Sequence, residues 1–278
     1  MSALATSARS VNAEPTQGSA FGALLLRDVA VLRKNLFTFV LRTVMQPLLF
    51  VFVFTYVFPR IGQGVGGAGA GAQASFSTLL VPGVVAIACI FQGIQAVALP
   101  LVQEIGYTRE IEDRVMAPLP VWAVAGQKVV SGALQGILAA LVVFPLAIFI
   151  PATAVDLHVR WLLLLIVTPL AALLGAGLGL AIGTRADPRQ VPLVFSIIVI
   201  PITFLGASYY PWARLTPIPW LKWVVLINPL VYMSEAFRAA LAPQFPHMPI
   251  VAIFLGLIGF TVVLVWLGIT GFRRRVQS

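Results

Sequence analysis

The sequence predicts an all-α membrane protein: six transmembrane helices, an N-terminal amphipathic interfacial helix, and an outer re-entrant helical hairpin before the last span. Three observations lead there. Apolar residues make up 60% of the chain and Asp, Glu, Lys and Arg only 10%, far less charge than a soluble domain needs to cover its surface. The charge is also clustered: none falls at 61–103, 129–155, 161–184, 190–213 or 239–272. A charge-free run of about 20 residues spans the roughly 30 Å hydrocarbon core as a helix. Finally, the ten-residue alternation of an outer-membrane barrel is absent, and a backbone in lipid must satisfy its own polar groups, which leaves helices.

Residues 1–20 read as a disordered cytoplasmic tail, small and polar, without the apolar core of a signal peptide. A single transmembrane domain is expected over 21–275. It opens with a surface helix over 21–36, where Leu25, Val29, Leu32 and Leu36 recur at helical spacing and Arg27, Asp28 and Lys34 lie elsewhere on the wheel. That pattern suits a helix lying in the membrane interface; the competing reading is a cytosolic extension of the first span.

The spans are expected at Phe39–Phe58, Phe76–Pro100, Ala123–Ile150, Arg160–Gly183, Val191–Tyr210 and Pro249–Phe272. Arg42, near the start of the first, reaches the headgroups by snorkelling. The loop after it holds Gly62, Gly64 and Gly67 in a GxGxxG spacing. No strand precedes that spacing and no Lys-Ser/Thr follows it, so it reads as a flexible loop. Gly132 and Gly136 on the third span, and Gly175, Gly179 and Gly183 on the fourth, have the spacing that lets membrane helices approach closely.

The stretch 211–246 is apolar but interrupted by Pro217, Pro219 and Pro229 and punctuated by Lys222, Glu235 and Arg238. Read as a seventh span, it would put the N-terminal region and Arg273–Arg275 on opposite sides. With six spans, 13 of the 18 Lys and Arg lie inside, leaving Arg60, Arg160, Arg214, Lys222 and Arg238 outside. The positive-inside rule favours that count, with both termini cytoplasmic. The interrupted stretch then reads as a pair of short helices entered from outside, since irregular backbone at membrane depth is tolerated where protein buries it.

The net charge of +9 does not indicate a nucleic-acid binder, because the cations sit in short loops between apolar runs rather than on a polar domain. Cys89 is the single cysteine and lies in an apolar run, which leaves no disulfide framework or metal cluster. The two histidines, His158 and His247, fall in predicted outer loops, and no HExxH, G-x-S-x-G or Walker A lysine loop is present. The long spans also lack the intramembrane Asp, Glu or Lys that ion-coupled carriers use. If this chain moves anything uphill, its energy comes from a partner. The segment 104–120 suits such a contact: Glu104, Arg109, Glu110, Glu112, Asp113 and Arg114 surround Val115, Met116 and Leu119. The bland alternative is a solvated loop joining two helices.

Two stretches resemble the membrane subunits of type-2 ABC exporters. One is Arg109-Glu110-Ile111-Glu112-Asp113-Arg114 leading to Ala117-Pro118-Leu119-Pro120 and Lys128. It is similar to the family's charged coupling loop, though Ile111 and Glu112 stand where many members have glycine. The other runs from Gly206 through Tyr209-Tyr210-Pro211 and Pro219-Trp220-Leu221 to Asn228-Pro229-Leu230-Val231-Tyr232, Glu235 and Arg238. It is similar to the family's outer re-entrant region, and the likeness covers essentially the whole chain. Among subfamilies it most resembles the daunorubicin-resistance type of drug and lipid exporter.

The resemblance implies a permease subunit in the bacterial inner membrane, paired with a second permease subunit in a homodimer or heterodimer and bound to two copies of a cytosolic ABC ATPase. ATP and Mg would act on that partner, with no cofactor on this chain. The coupling residues would be Glu104, Arg109, Glu110, Glu112, Asp113, Arg114 and Pro118; the re-entrant motif would be Tyr210, Pro211, Asn228, Pro229, Tyr232, Glu235 and Arg238. The path would lie between the two halves, near the first, second and fifth spans. Phe50, Phe54, Tyr56, Ile200 and Phe204 are its candidate lining, with core packing or lipid contact as the alternatives. Glu235 and Arg238, three residues apart, are expected to pair. Competing functional readings are a lipid-linked glycan exporter subunit, an ion-coupled carrier acting alone and a membrane-embedded enzyme.

Overall fold

The computed structural model describes residues 17–61, 70–104, 120–187, 193 and 195–277, and every regular element among them is a helix. Five helices are long and apolar enough to cross a membrane, and a sharply bent pair makes a sixth candidate. The chain is thus a multi-pass membrane protein of all-α class. The Gly62, Gly64 and Gly67 loop lies outside the described residues. So do Arg109, Glu110, Glu112, Asp113, Arg114 and Pro118 of the predicted coupling segment.

Helix α1 (Gln17–Lys34) begins inside the predicted tail and ends two residues short of its predicted limit. Arg33 and Lys34 occupy its last turn, where cations complement the helix dipole. Asn35 ends it, its side-chain amide donating to the Val31 carbonyl at 3.3 Å. The face of α1 turned to the bundle carries Phe21, Leu24, Leu25, Asp28 and Leu32, while Val29 and Leu36 of the expected apolar stripe are exposed. Asp28 lies on the inner face because Gln127 donates to its carboxylate at 2.8 Å.

Helix α2 spans Leu36–Arg60, but Phe52–Val57 within it winds as a π-helix. There the Thr55 hydroxyl donates to the Val51 carbonyl at 2.7 Å, a local bond that competes with the backbone ladder and loosens it. Helices α3 (Ala70–Gln103), α4 (Val121–Phe149) and α5 (Trp161–Gly183) form the centre. They match the second, third and fourth predicted spans to within a few residues, except that α3 starts earlier. Of the spanning stretch of α3, 78% is buried, against 11% for the last helix, α9 (Ile250–Gln277), so α3 is the core and α9 the periphery.

No hydrophobic force drives helices together in lipid, so close packing has to do it. Gly175 and Gly179, predicted for that role on the fourth span, meet α3 at Gly93, which no spacing in the sequence singled out. A Cβ on Gly93 would lie 2.5 Å from the Gly175 carbonyl carbon, and one on Gly179 would lie 2.8 Å from the Gly93 oxygen. The two backbones therefore touch. Gly132 and Gly136 of α4 instead leave room for side chains, Val97 of α3 and Ala172 of α5. Polar side chains add a clasp: Thr43 of α2 donates to Gln92 of α3 at 2.9 Å, and Gln92 donates to Gln135 of α4 at 3.1 Å.

The predicted fifth span needs correction. Of its described residues, 193 and 195–210, the continuous helix covers one ten-residue stretch, α6, a π-helix over Phe195–Val199 continued by an α-helix over Ile200–Phe204. The chain leaves helical geometry at Leu205, well before the expected end at Tyr210. Two tertiary contacts outcompete the helix. The Asn228 amide donates to the Ile202 carbonyl at 2.7 Å, taking the acceptor the next turn would use. Ala207 is held at φ 51° with its carbonyl turned to Arg238. Gly83 makes room for this loop: any Cβ there would collide with the Ser208 backbone.

The interrupted stretch contains a 3-10 turn at Trp212–Leu215, helix α7 (Pro219–Val224) running on as a 3-10 turn to Ile227, and helix α8 (Pro229–Leu241). The two helical arms meet at Asn228 at 98°. Asn228 caps α8 by accepting from Leu230 N at 2.9 Å, and Pro229 fills the first helical position, where its missing N–H costs nothing. Every residue of α8 except Tyr232 is buried, against α3, α5 and α9. The N-terminal half of α3, the end of α6, the hairpin and the start of α9 share one end of the bundle. Glu104, Lys128, Asp187 and Arg275 lie at the other.

Gly93→Val would force α3 from α5, since the atoms it meets are backbone and cannot yield. A loss of about 1–3 kcal/mol is expected, read as a lower melting temperature of the protein in detergent. A wild-type melting curve would contradict the backbone contact.

Candidate functional site

The hairpin end is organised around two charges. Glu235 and Arg238 lie one turn apart on α8, have no exposed surface and form a hydrogen-bonded ion pair. Neither spends its capacity on the other alone. Glu235 Oε1 also accepts from Trp212 N at 2.9 Å, and Oε2 accepts from Met248 N at 2.7 Å. Arg238 Nη2 donates to the Ala207 carbonyl at 2.8 Å. Alongside, the Ser208 and Ser234 hydroxyls are 2.9 Å apart. One pair thus holds the loop after α6, the start of the hairpin and the segment leading into α9.

The sequence-predicted residues of this region separate into two groups. Asn228, Pro229, Glu235 and Arg238 build the bend and its anchor, and Pro211 leads the chain into the Trp212 amide that Glu235 accepts. Tyr232 has a different job: its ring lies against Gly256 of α9, where no side chain would fit, and its hydroxyl donates to Leu226 O at 3.1 Å. Tyr210 is half-buried beside the core. The outer arm α7 turns Trp220 and Trp223 outward, each 67% exposed. Trp212 stays inside the fold, donating to Lys222 O at 2.9 Å with the Lys222 ammonium 4.5 Å above its ring.

Next to this anchor the structure gathers most of the predicted path residues into an aromatic cluster. Phe50 stacks on Phe54 at 4.4 Å and on Tyr209 at 4.6 Å, and Phe204 lies 6.4 Å from the Tyr209 ring. Phe50 and Phe54, named in the sequence only as path lining, lie four apart on α2 and so share one face. Tyr209 was missed, because it reaches them only when the chain turns back after Phe204. Ile200 and Phe204, also four apart, are 53% and 62% exposed on one side of α6. Tyr56 does not join: it stacks with Phe52 at 5.2 Å and carries the Arg60 guanidinium 5.0 Å over its ring.

At the opposite end, Glu104 of α3 is the one described residue of the predicted coupling set. Its carboxylate lies 2.6 Å from the Lys128 ammonium of α4, both side chains nearly buried. The pair ties together the two helices that flank segment 105–119. Beside it a cleft of about 670 Å³ opens between α1, α2, α3 and α4, lined by Arg27, Asp28, Arg42, Glu104, Lys128 and Gln135 among others. Gln127 carried no sequence signal beyond its place in an apolar run, and Lys128 was named only as the end of the stretch that resembles the coupling loop. Among the described residues no three His, Cys, Asp or Glu side chains converge as a metal site would require.

Glu235→Ala is expected to destabilise the protein by about 3–5 kcal/mol, because it strands the Arg238 charge in a dry site. Replacing both residues by Leu and Met should cost less than the single change. Thermal unfolding of purified protein compares them; equal losses would show that the pair is not the anchor.

Residues 19–242 match the family described as ABC-2 type transporter. The chain is also similar to the inner membrane transport permease YadH of Escherichia coli K12, 27% identical over 167 residues, covering 59% of this chain and 62% of YadH. The YadH proteins of Escherichia coli O157:H7 and Shigella flexneri match with the same identity and coverage. This chain therefore spans about 62% of the length of the curated relatives it matches.

Proposed function

Because this chain belongs to the ABC-2 type transporter family, we propose that it is the membrane-spanning permease subunit of an ATP-driven exporter, with ATP and Mg bound and hydrolysed on a separate cytosolic ATPase. The observation that carries the coupling part of this reading is the Glu104–Lys128 pair. A loop that transmits force between subunits needs a base that does not give way. This pair joins the helices on either side of 105–119 in a nearly buried, charge-assisted contact. Arg109, Glu110, Glu112, Asp113, Arg114 and Pro118 would then form the surface offered to the ATPase. The positive-inside rule places that end, with both termini, in the cytoplasm.

Residues 21–275 act as one permease domain, two such subunits pairing with two ATPase subunits. The aromatic cluster of Phe50, Phe54, Phe204 and Tyr209, with exposed Ile200, supplies the apolar side of a path between the subunits. Such a wall suits a hydrophobic or amphiphilic cargo, a drug or a lipid, held without specific polar contacts. The bent hairpin closes the outer end as a re-entrant element. Ion-coupled carriage by this chain alone fits less well. Of the described acids, the two inside the bundle, Glu104 and Glu235, are both ion-paired, whereas a coupling carboxylate has to release and rebind its proton or ion.

Co-expression with any ABC ATPase encoded beside it tests the reading. The wild-type permease should co-purify with that ATPase, and Glu112→Lys with Asp113→Lys should remove most of the association. Lys128→Met should preserve binding but lower permease-dependent ATP hydrolysis about tenfold, the low end of the scale for breaking a buried charge pair. Transport that survives ATP depletion and collapses with the proton gradient would sink the proposal.

A further inference from the structure

At the end of the bundle away from the hairpin, α5 and α9 enclose a second cavity, of about 540 Å³, with no place in the transport reading above. Its lining includes Thr184 and Arg185, just past the end of α5, and Trp266, Thr270, Arg274 and Arg275 of α9. The helices touch at its floor, where a Cβ on Gly271 would lie 2.6 Å from the Thr184 hydroxyl. Three guanidinium groups stand around the opening. Asp187 answers one of them, at 3.0 Å from Arg275, and is itself 60% exposed. Arg185 folds over the end of α5 and donates through Nη1 to the Ala181 carbonyl at 3.2 Å, which leaves its other N–H groups for the cavity. Among the described residues three cations face one carboxylate, a local excess of two positive charges.

The surface leading to this cavity is apolar. Val262, Trp266, Thr270 and Arg274 follow one another at four-residue steps, so they form one stripe along α9. Val262 and Trp266 are 62% and 63% exposed, and only 11% of the α9 span is buried. The stripe runs from aliphatic, through an indole and a hydroxyl, to a guanidinium. This matches the profile of a phospholipid standing beside the helix: acyl chain, glycerol interface, phosphate. Indole rings favour the interfacial level, and basic pockets between spanning helices take anionic headgroups.

We propose that the notch between the C-terminal ends of α5 and α9 binds the phosphodiester of an anionic phospholipid of the adjoining leaflet. Arg185 and Arg274 grip the phosphate, Thr270 lies at the glycerol level, and Trp266 and Val262 receive an acyl chain. The excess positive charge selects against zwitterionic lipids, whose headgroups bring their own cation. The inference needs only that α9 crosses the membrane, so its outcome is independent of the transport proposal.

The test uses the full chain, purified and delipidated in detergent, with bound lipid counted by native mass spectrometry across a titration. Phosphatidylglycerol should bind on the order of tenfold more tightly than phosphatidylcholine, given what each basic residue near a membrane surface contributes. Arg185→Gln with Arg274→Gln should bring that ratio close to one. Arg274→Gln alone, at an exposed position that leaves the fold intact, should lower it part of the way. Arg33→Gln with Lys34→Gln removes the same charge from α1 and should leave it unchanged. The proposal is overturned by a wild-type ratio near one, or by the full ratio surviving in the Arg185 and Arg274 variant. Equal loss in the α1 control would also overturn it, assigning the effect to diffuse surface charge. So would glycerol 3-phosphate binding as tightly as the lipid, which would make this a soluble-phosphate site.

Discussion

Glu235 and Arg238 form an ion pair with no access to solvent, and the hairpin end of the bundle is arranged around what that pair requires. Burying two opposite charges costs several kcal/mol, which their attraction repays only when the remaining donors and acceptors also find partners. Here backbone groups of Trp212, Met248 and Ala207 are those partners, and among the described residues only the Arg238 Nε–H of the pair goes without one. All three lie in segments that have left regular helix and cannot satisfy those groups locally. The charges are stable because the backbone around them is irregular, and that backbone is tolerated because the charges complete its hydrogen bonding. An all-apolar helix in place of α8 would leave three polar groups unanswered.

The rest of the bundle is held by a different principle. Gly93, Gly175 and Gly179 bring α3 and α5 into backbone contact, and α8 is buried on top of them. This makes a dense centre of α3, α5 and α8. By contrast, only 24% of the α2 span is buried, and α2 and α6 both carry π-helical stretches. Elements with few buried contacts and a loosened backbone ladder are the ones that move most cheaply. The aromatic cluster is built from those two elements and the loop after α6. The proposed permease role calls for such a division, a packed core beside a thinner wall.

Much of this was legible before any coordinates. The first four predicted spans and the last each became a helix near its expected limits, since a hydropathic run of that length has few other folds in lipid. Glycine spacing named Gly132, Gly136, Gly175 and Gly179 as contact positions, but not Gly93 opposite them. The i, i+3 spacing of Glu235 and Arg238 foretold their pairing, whereas Phe50 and Phe54 were named only as path lining and their stacking came from the structure. Local periodicity carried the expectations that held. It failed where the deciding contact was remote: the face of α1 was misjudged at Asp28, whose partner Gln127 is far along the chain, and the fifth span was drawn past Leu205.

What the sequence determined by itself is therefore the class of the protein: helices, several crossings, a basic end and an interrupted segment before the last one. Those follow from how apolar and charged residues are distributed, which is a one-dimensional property. Only the tertiary structure decided what the interrupted segment does with its charges, because pairing Glu235 with Trp212 and Met248, or turning Tyr209 onto Phe50, closes loops of the chain that no local pattern records. It also joined Glu104 to Lys128 across the segment between α3 and α4. Where a residue's energy comes from neighbours close in sequence, the sequence reports it; where it comes from backbone groups left open by a distant bend, only the folded chain does.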